Sequence, residues 1–491
     1  MFVPIKGIYA CDKLVNICVN KNNLRKIGVK NNKMAKLHKT CKINAKKDDI
    51  RRYLATYDSL LRLMPPWHDI KDVKTDANTL AYHLRENGWL TFNMQLNRKV
   101  TVKDKDISIT DTFLKSPFPL FQRVRHLKDA TQDGHSTTLE DSMTYTPPWS
   151  FLGDFLNCRE IAPTLNRFMH FQHERICRDM PLMADTMHPK SIVITGAKGF
   201  VGRHLKSFLG SLGHYVTPIS HKHNTHGHPV WNPDQRQMDT EPLEGVDTVI
   251  HLAGESLFNK RWSKEQKEYI LENRFNAAAT LASTIARCEI KPKTLIVASA
   301  IGYYGDAGHH NITEQSPAGE DFAADVCKAI ESALKPAKDA GVRVVVLRFG
   351  VVLNPRGGAL AKMLTPFKLC MGGPMGKGDQ YMSWISMEDL LHIFPFILKN
   401  ETLEGVFNAT APNPVTNEEF SKTLAQHLHR PCFFRMPKFM VNLAWGEMGE
   451  TLLLSSARVF PTRLQEAGFT FLTPNLTQAL DLEIDGLYPK G

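Results

Sequence analysis

No stretch of the 491 residues approaches the roughly 18 consecutive apolar positions that a membrane-spanning helix requires, so no membrane span is expected. Cysteine is sparse and scattered. The nine residues, Cys11, Cys18, Cys41, Cys158, Cys177, Cys288, Cys327, Cys370 and Cys432, include no pair at metal-ligand spacing and make an odd total. That pattern excludes a zinc ribbon or a disulfide framework, predicts no metal centre, and fits reduced thiols in a cytoplasmic protein. Acidic residues are outnumbered, 50 against 61 Lys and Arg, for a net charge of +11. Such an excess raises nucleic-acid binding as a class, but its distribution argues otherwise. Between Met1 and Lys33 stand Lys6, Lys13, Lys21, Arg25, Lys26, Lys30 and Lys33 against Asp12 alone. Residues 1–34 therefore form a basic arm. It lacks the continuous apolar core and small-residue cleavage site of a secretory signal, and it is poor in Arg and Ser for a transit peptide. Met34 stands immediately before the first patterned segment, which leaves two readings of the arm open, a tail or untranslated sequence. Nucleic acid is not expected as a partner.

What is present is enough chain for two or three domains. Residues 36–43 alternate as an edge strand. Residues 48–64 carry Ile50, Tyr53, Leu54, Tyr57, Leu60, Leu61 and Met64 at helical spacing, and Pro65 and Pro66 end that helix. Short strand-like stretches follow at 80–84, 90–96, 99–102, 107–113, 122–127 and 137–145, with turn signals between them, and residues 151–180 return to helix. Residues 181–189, with two prolines and no periodicity, read as a linker ending near His188.

The order of elements in residues 35–183 resembles the START-like, polyketide-cyclase type of helix-grip domain. The quoted echoes are Leu63-Met64-Pro65-Pro66-Trp67, Arg125-His126, and Leu139 to Tyr145 ahead of Phe168, His170, Phe171 and His173. The resemblance implies an α+β domain in which a curved antiparallel sheet wraps a long helix around an apolar cavity that takes a hydrophobic ligand. No nucleophile is paired with a base here, and His126, His170 and His173 read as packed or surface residues.

The second half opens on Ser191-Ile192-Val193-Ile194, a run suited to a buried parallel strand. It leads into Thr195-Gly196-Ala197-Lys198-Gly199-Phe200-Val201-Gly202 and an amphipathic helix. Strand, glycine loop and helix in this order suit a dinucleotide. Gly196 permits the sharp turn, Gly199 admits the pyrophosphate to the backbone, and Gly202 lets the helix pack closely. The helix N-terminus supplies free N–H groups and partial positive charge. Thr195, Lys198, Phe200 and Val201 belong to the same loop. Further strands at 215–219, 246–254, 294–299 and 343–347 alternate with helices, the doubly wound Rossmann arrangement. After the second strand no carboxylate awaits the ribose 2′-hydroxyl. Ser220-His221-Lys222-His223 stand there instead, which favours NADP(H), with NAD(H) as the alternative.

Residues 191 to about 482 resemble the atypical short-chain dehydrogenase/reductases of the NAD-dependent epimerase-like group, including its two-domain members with a START-like domain in front. The matching blocks are the glycine loop, His251-Leu252-Ala253-Gly254-Glu255, Ser299-Ala300-Ile301-Gly302-Tyr303-Tyr304-Gly305, Leu347-Arg348-Phe349-Gly350, Gly372-Gly373-Pro374-Met375-Gly376, and Trp384-Ile385 with Asp389-Leu390. The resemblance implies a Rossmann domain over 188–436 and a small C-terminal module over 437–486 that completes the substrate side. It adds Leu252, Ala253, Gly254, Arg274 and Ser299 to the cofactor side, and Arg348, Gln380 and Trp384, with Asp389, to the substrate side. Ordinary members use Ser, Tyr and a Lys four residues after the Tyr. Ser299 fills the first place, but Ala323 and Cys327 stand where Tyr and Lys belong, and Arg274 where an Asn belongs. Tyr303 and Cys327 are the remaining candidates beside Ser299 for acid chemistry, each also readable as a packing residue. The expected protein is an oxidoreductase or epimerase of unspecified small-molecule substrate, or a cofactor-bound interaction protein without turnover.

Overall fold

A computed structural model describes residues 34–76, 79–86, 90–103, 106–131, 134–147, 161–183, 189–219, 231–255, 257–258 and 260–484. Residues 1–33 of the basic arm, 151–160 of the helix expected over 151–180, 184–188 of the linker and the cofactor candidates Ser220, His221 and Lys222 lie outside these residues. The chain divides into two compact units, residues 1–188 with 210–213, and residues 189–209 with 214–491.

In the first unit, β1 (Ala35–Ile43) precedes two short helices, α1 (Lys47–Ala55) and α2 (Tyr57–Arg62). The single helix expected over 48–64 is broken at Thr56, whose extended backbone lets its side chain accept from the Ser59 amide and cap the second helix. Six strands follow, β2 (Asp69–Asp76), β3 (Thr79–Glu86), β4 (Leu90–Lys103), β5 (Asp106–Lys115), β6 (Phe121–Asp129) and β7 (Thr137–Tyr145). The two stretches expected at 90–96 and 99–102 are one strand, β4. Helix α3 (Ala162–Met183) runs past Pro181 into the segment read as linker. The antiparallel sheet is ordered β1-β7-β6-β5-β4-β3-β2, so the first strand closes against the last.

Strict alternation gives the sheet one buried face. On β7, Thr137, Leu139, Asp141, Met143 and Tyr145 are buried, and on β6, Phe121, Arg123, Arg125 and Leu127. The charged members of that face form a ladder across β4 to β7. Arg98 Nε and Nη2 donate to the two oxygens of Asp111 at 2.6 and 2.7 Å, and Arg123 Nε donates to Asp141 at 2.8 Å. Burial works to raise the Asp111 carboxyl, but Arg125 and Arg98 more than offset it and hold it below the usual range.

The second unit is built on a six-stranded parallel sheet. Its strands are β8 (Ser191–Thr195), β9 (Tyr215–Ile219), β10 (Thr248–His251), β11 (Thr294–Ala300), β12 (Arg343–Phe349) and β13 (Gly405–Ala409), ordered β13-β12-β11-β10-β8-β9. Helices α4 (Phe200–Ser211), α5 (Lys264–Arg287) and α6 (Phe322–Ser332) connect or follow them. Ile192, Val193 and Ile194 are at most 1% exposed, each worth roughly 1.5–3 kcal/mol of burial, which is why β8 reads as a continuous apolar run. The strand order turns from β9 on one side of β8 to β10 on the other. That switch point, at the carboxyl ends, is where open α/β sheets form ligand crevices.

Candidate functional site

At the switch point the loop from β8 to α4 meets the segment that leaves β10. Gly196 has φ +72°, and a Cβ there would lie 2.7 Å from the backbone of Leu252 and Ala253. Only glycine satisfies both the left-handed turn and the close approach. A Cβ on Gly202 would come within 2.2 Å of the Gly196 carbonyl oxygen. The close packing expected between helix and sheet is thus made between the helix and its own loop. The Gly199 amide donates to the Gly196 carbonyl at 2.8 Å, which folds the loop beneath the first turn of α4, whose leading amides lack helical partners. Lys198 and Gly199 are exposed, Phe200 and Val201 half-buried. Thr195 is turned inward, its hydroxyl 2.8 Å from His251 Nδ1 across β8 and β10. Beyond β10, Arg274 on α5 donates to the Glu255 carbonyl from Nε and Nη2 at 2.9 and 2.6 Å, lying across Gly254. Burial lowers the Arg274 pKa, with Cys327 and Glu255 opposing.

On the neighbouring strand, Ser299 is the penultimate residue of β11. Its hydroxyl donates to Glu331 Oε1 at 3.0 Å. Glu331 also receives Arg348 Nε and Nη2 at 2.9 and 2.7 Å, and Arg348 Nη1 donates to the Tyr304 hydroxyl at 2.9 Å. Tyr304 in turn donates to Asn408 Oδ1 at 2.7 Å. This chain of bonds ties β11, α6, β12 and β13 together at their carboxyl ends. Burial works against the Arg348 charge, but Glu331 more than compensates and raises its pKa. Burial likewise pushes the Tyr304 hydroxyl up. Since a carboxylate held by a guanidinium only accepts, the Ser299 proton is directed to Glu331 and the hydroxyl presents lone pairs elsewhere.

Tyr303 is half-buried, with the Arg348 guanidinium 3.3 Å over its ring. Cys327 is 4% exposed. Its thiol donates to the Ala300 carbonyl at 3.6 Å, and burial raises its pKa, with the Ser299 contact opposing. Ala323 is also buried, and a Cβ on Gly302 would sit 3.2 Å from its methyl. The turn 301–304 therefore packs closely against the Ala323 methyl.

The residues expected on the substrate side prove to be internal. Arg348 is 3% exposed and paired with Glu331; Gln380, 7% exposed, donates to the carbonyls of Met375 and Leu453 at 3.1 and 3.3 Å. Trp384 is fully buried in an apolar cluster with Phe367, Phe420 and Leu480. Asp389 accepts from the Leu472 and Thr473 amides at 2.6 and 3.1 Å, anchoring the C-terminal segment. Glu331 and Asn408 are site residues to which the sequence motifs assign no function. Glu331 was findable, for Ala323, Cys327 and Glu331 recur at i, i+4 and i+8 on one face of α6. Asn408 had no such signal.

Residues 192–409 match the NAD dependent epimerase/dehydratase family, and residues 436–482 match a domain of unknown function, DUF1731. An epimerase family protein of Mycobacterium leprae is 35% identical over 299 residues, covering 61% of this chain and 97% of that protein. Among solved structures, a nucleoside-diphosphate sugar epimerase from Corynebacterium glutamicum superposes with a TM-score of 0.72 at 28% identity, over 91% of this chain and 90% of that one. The human epimerase family protein SDR39U1 (isoform 2), solved with NADPH, gives 0.55 at 32% identity over 60% and 98%. Among the described residues no helix is long and apolar enough to cross a membrane.

Proposed function

Because the chain belongs to the epimerase family and carries its C-terminal module, we propose that the second unit binds NADP(H) at the β8 and β10 ends and acts as an oxidoreductase or epimerase on a small molecule. The carrying observation is the cradle at Gly196 and Gly202, which a Cβ would fill. Thr195, Gly196, Lys198, Gly199, Phe200, Val201 and Gly202 would hold the pyrophosphate side. Leu252, Ala253, Gly254 and Arg274 would line the adjoining wall. NADP(H) over NAD(H) is supported by Ser220, His221 and Lys222 in the sequence and by the NADPH of the human relative. When bound, the cofactor supplies or accepts hydride. Ser299 orients a substrate hydroxyl by accepting its proton bond, and Glu331 and Arg348 hold Ser299 in that role. Tyr303 and Cys327 stand nearby as secondary candidates. Arg348, Gln380 and Trp384, all internal, would act on the substrate side only indirectly, by holding the segments around it in place.

One observation favours a second reading, a cofactor-bound protein without turnover. Ala323 and Cys327 replace the Tyr and Lys of the ordinary mechanism, and burial keeps the Cys327 thiol protonated. We further propose that the first unit is a START-like module for an apolar ligand, supported by its antiparallel strand order, in which β1 pairs with β7, and by its long final helix. Calorimetric titration of NADPH into the wild type and Gly199→Leu tests the cofactor assignment. Saturable binding lost in the variant is expected; equal binding by both would overturn it.

A further inference from the structure

The charged ladder inside the first unit is one anion short. Arg98, Arg123 and Arg125 face Asp111 and Asp141, all five at most 7% exposed, while His173 on α3 binds Asp141 through Nε2 at 2.9 Å. Burial lowers the His173 pKa, with Asp141 opposing, so three fixed positive charges meet two negative ones. Arg98 and Arg123 each have a carboxylate of their own. Arg125 does not: its Nη2 makes a single bond, at 3.0 Å, to the Asp111 oxygen that Arg98 already engages at 2.7 Å. Arg125 Nε and Nη1 are buried and have no acceptor among the described residues, and His173 Nδ1 has no partner either. Burial and then Arg123 pull the Arg125 pKa down to about 9, with Asp111 opposing.

A buried guanidinium whose Nε and Nη1 are unmet is a costly arrangement unless something arrives to meet them. Water would satisfy the donors but not the charge, and a doubly charged phosphate monoester would overshoot a deficit of one. Beside the ladder on the same sheet face are two apolar clusters, one with Phe121, Met143 and Tyr145, the other with Tyr82, Met94 and Leu96, which meet at Phe113 and Phe168. We propose that the interior of the first unit takes a monoanionic amphipathic ligand, a carboxylate on an apolar body, whose carboxylate pairs with Arg125. This rests on the reading of that unit as an apolar-ligand module and adds the head group.

The test uses the full-length protein, with dodecanoate, dodecan-1-ol and acetate titrated by calorimetry. One dodecanoate per chain is expected, at least about tenfold tighter than dodecanol, the discrimination a charged hydrogen-bonded pair supplies. Acetate should bind far more weakly than dodecanoate. Arg125→Met should erase the preference by weakening dodecanoate while leaving dodecanol unchanged. Equal wild-type affinities for dodecanoate and dodecanol overturn the anionic head group but leave the apolar module standing, whereas no binding of either overturns both. A preference that survives Arg125→Met overturns the assignment to Arg125. Should that variant fail to fold by circular dichroism, Arg125→Lys carries the test. It offers one mobile ammonium for a rigid donor set, so the preference should fall at least about threefold, and an unchanged preference refutes the proposal.

Discussion

Replacing Arg348 by Met keeps the apolar stem and deletes the guanidinium, and the geometry sets what is lost. Glu331 gives up donors at 2.9 and 2.7 Å, and Tyr304 one at 2.9 Å. With side chains 4% and 15% exposed, the pair is nearly dry, so the abandoned carboxylate is poorly solvated. Breaking a buried pair from one side costs about 3–5 kcal/mol. Glu331 retains some exposure and the Ser299 hydroxyl, so the low end, about 3 kcal/mol, is expected. At about 2–4 °C per kcal/mol for a large domain, the melting transition should fall by about 6–12 °C. Arg348→Met combined with Glu331→Met removes both charges and should recover at least half of that loss, since apolar replacement of a buried pair is often neutral. Differential scanning calorimetry reads this, the relevant transition being the one that NADPH shifts upward. A single-variant shift below 2 °C, or a double variant no better than the single, would refute the view that this pair organises the strand ends.

Gly202→Ala places a methyl 2.2 Å from the Gly196 carbonyl, so the start of α4 must move, and NADPH affinity should drop at least about tenfold; unchanged affinity by titration would contradict the cradle. Cys327, buried and protonated, should react with iodoacetamide at pH 7.5 far more slowly than exposed Cys370, as read by peptide mass spectrometry. Cys327→Ala should keep NADPH affinity, and a variant that lost more than about a hundredfold in turnover while still binding NADPH would make the thiol an acid or nucleophile. His214 accepts the Lys190 amide at 3.2 Å, and burial, followed by Lys190, lowers its pKa to about 4. A folded pKa below the unfolded 6.5 means its contribution is complete above pH 6.5 and is lost as pH falls toward 4. Urea unfolding at pH 7 and 5 should show that loss in the wild type and a smaller one in His214→Gln.

The second unit was the more legible because its signals are local. A strand buried on both faces reads as an apolar run, and the glycines that follow it are demanded by backbone approach within a few residues. In the first unit the alternation on β6 and β7 gave the strands, but β2, Asp69–Asp76, is mostly charged and has no apolar face to announce it. The break at Thr56 escaped because apolar spacing continues through it. Roles proved harder than elements. Asp389 sits in a motif block beside Trp384, yet its carboxylate closes on amides more than eighty residues away, a pairing no local pattern encodes. Ser299, Glu331 and Arg348 meet only because β11, α6 and β12 end at one level, and the proton of Ser299 is directed by that meeting.

Ser220, His221 and Lys222, which follow β9 in the sequence, are the proposed source of a preference for NADPH in the second unit. Side-by-side titration with NADPH and NADH addresses it most directly. Saturable one-to-one binding is expected, with NADPH tighter by at least about tenfold, the worth of one charge-assisted contact to the 2′-phosphate. Equal affinities or a preference for NADH would contradict the assignment of Ser220, His221 and Lys222, and no saturable binding of either would contradict the domain's function.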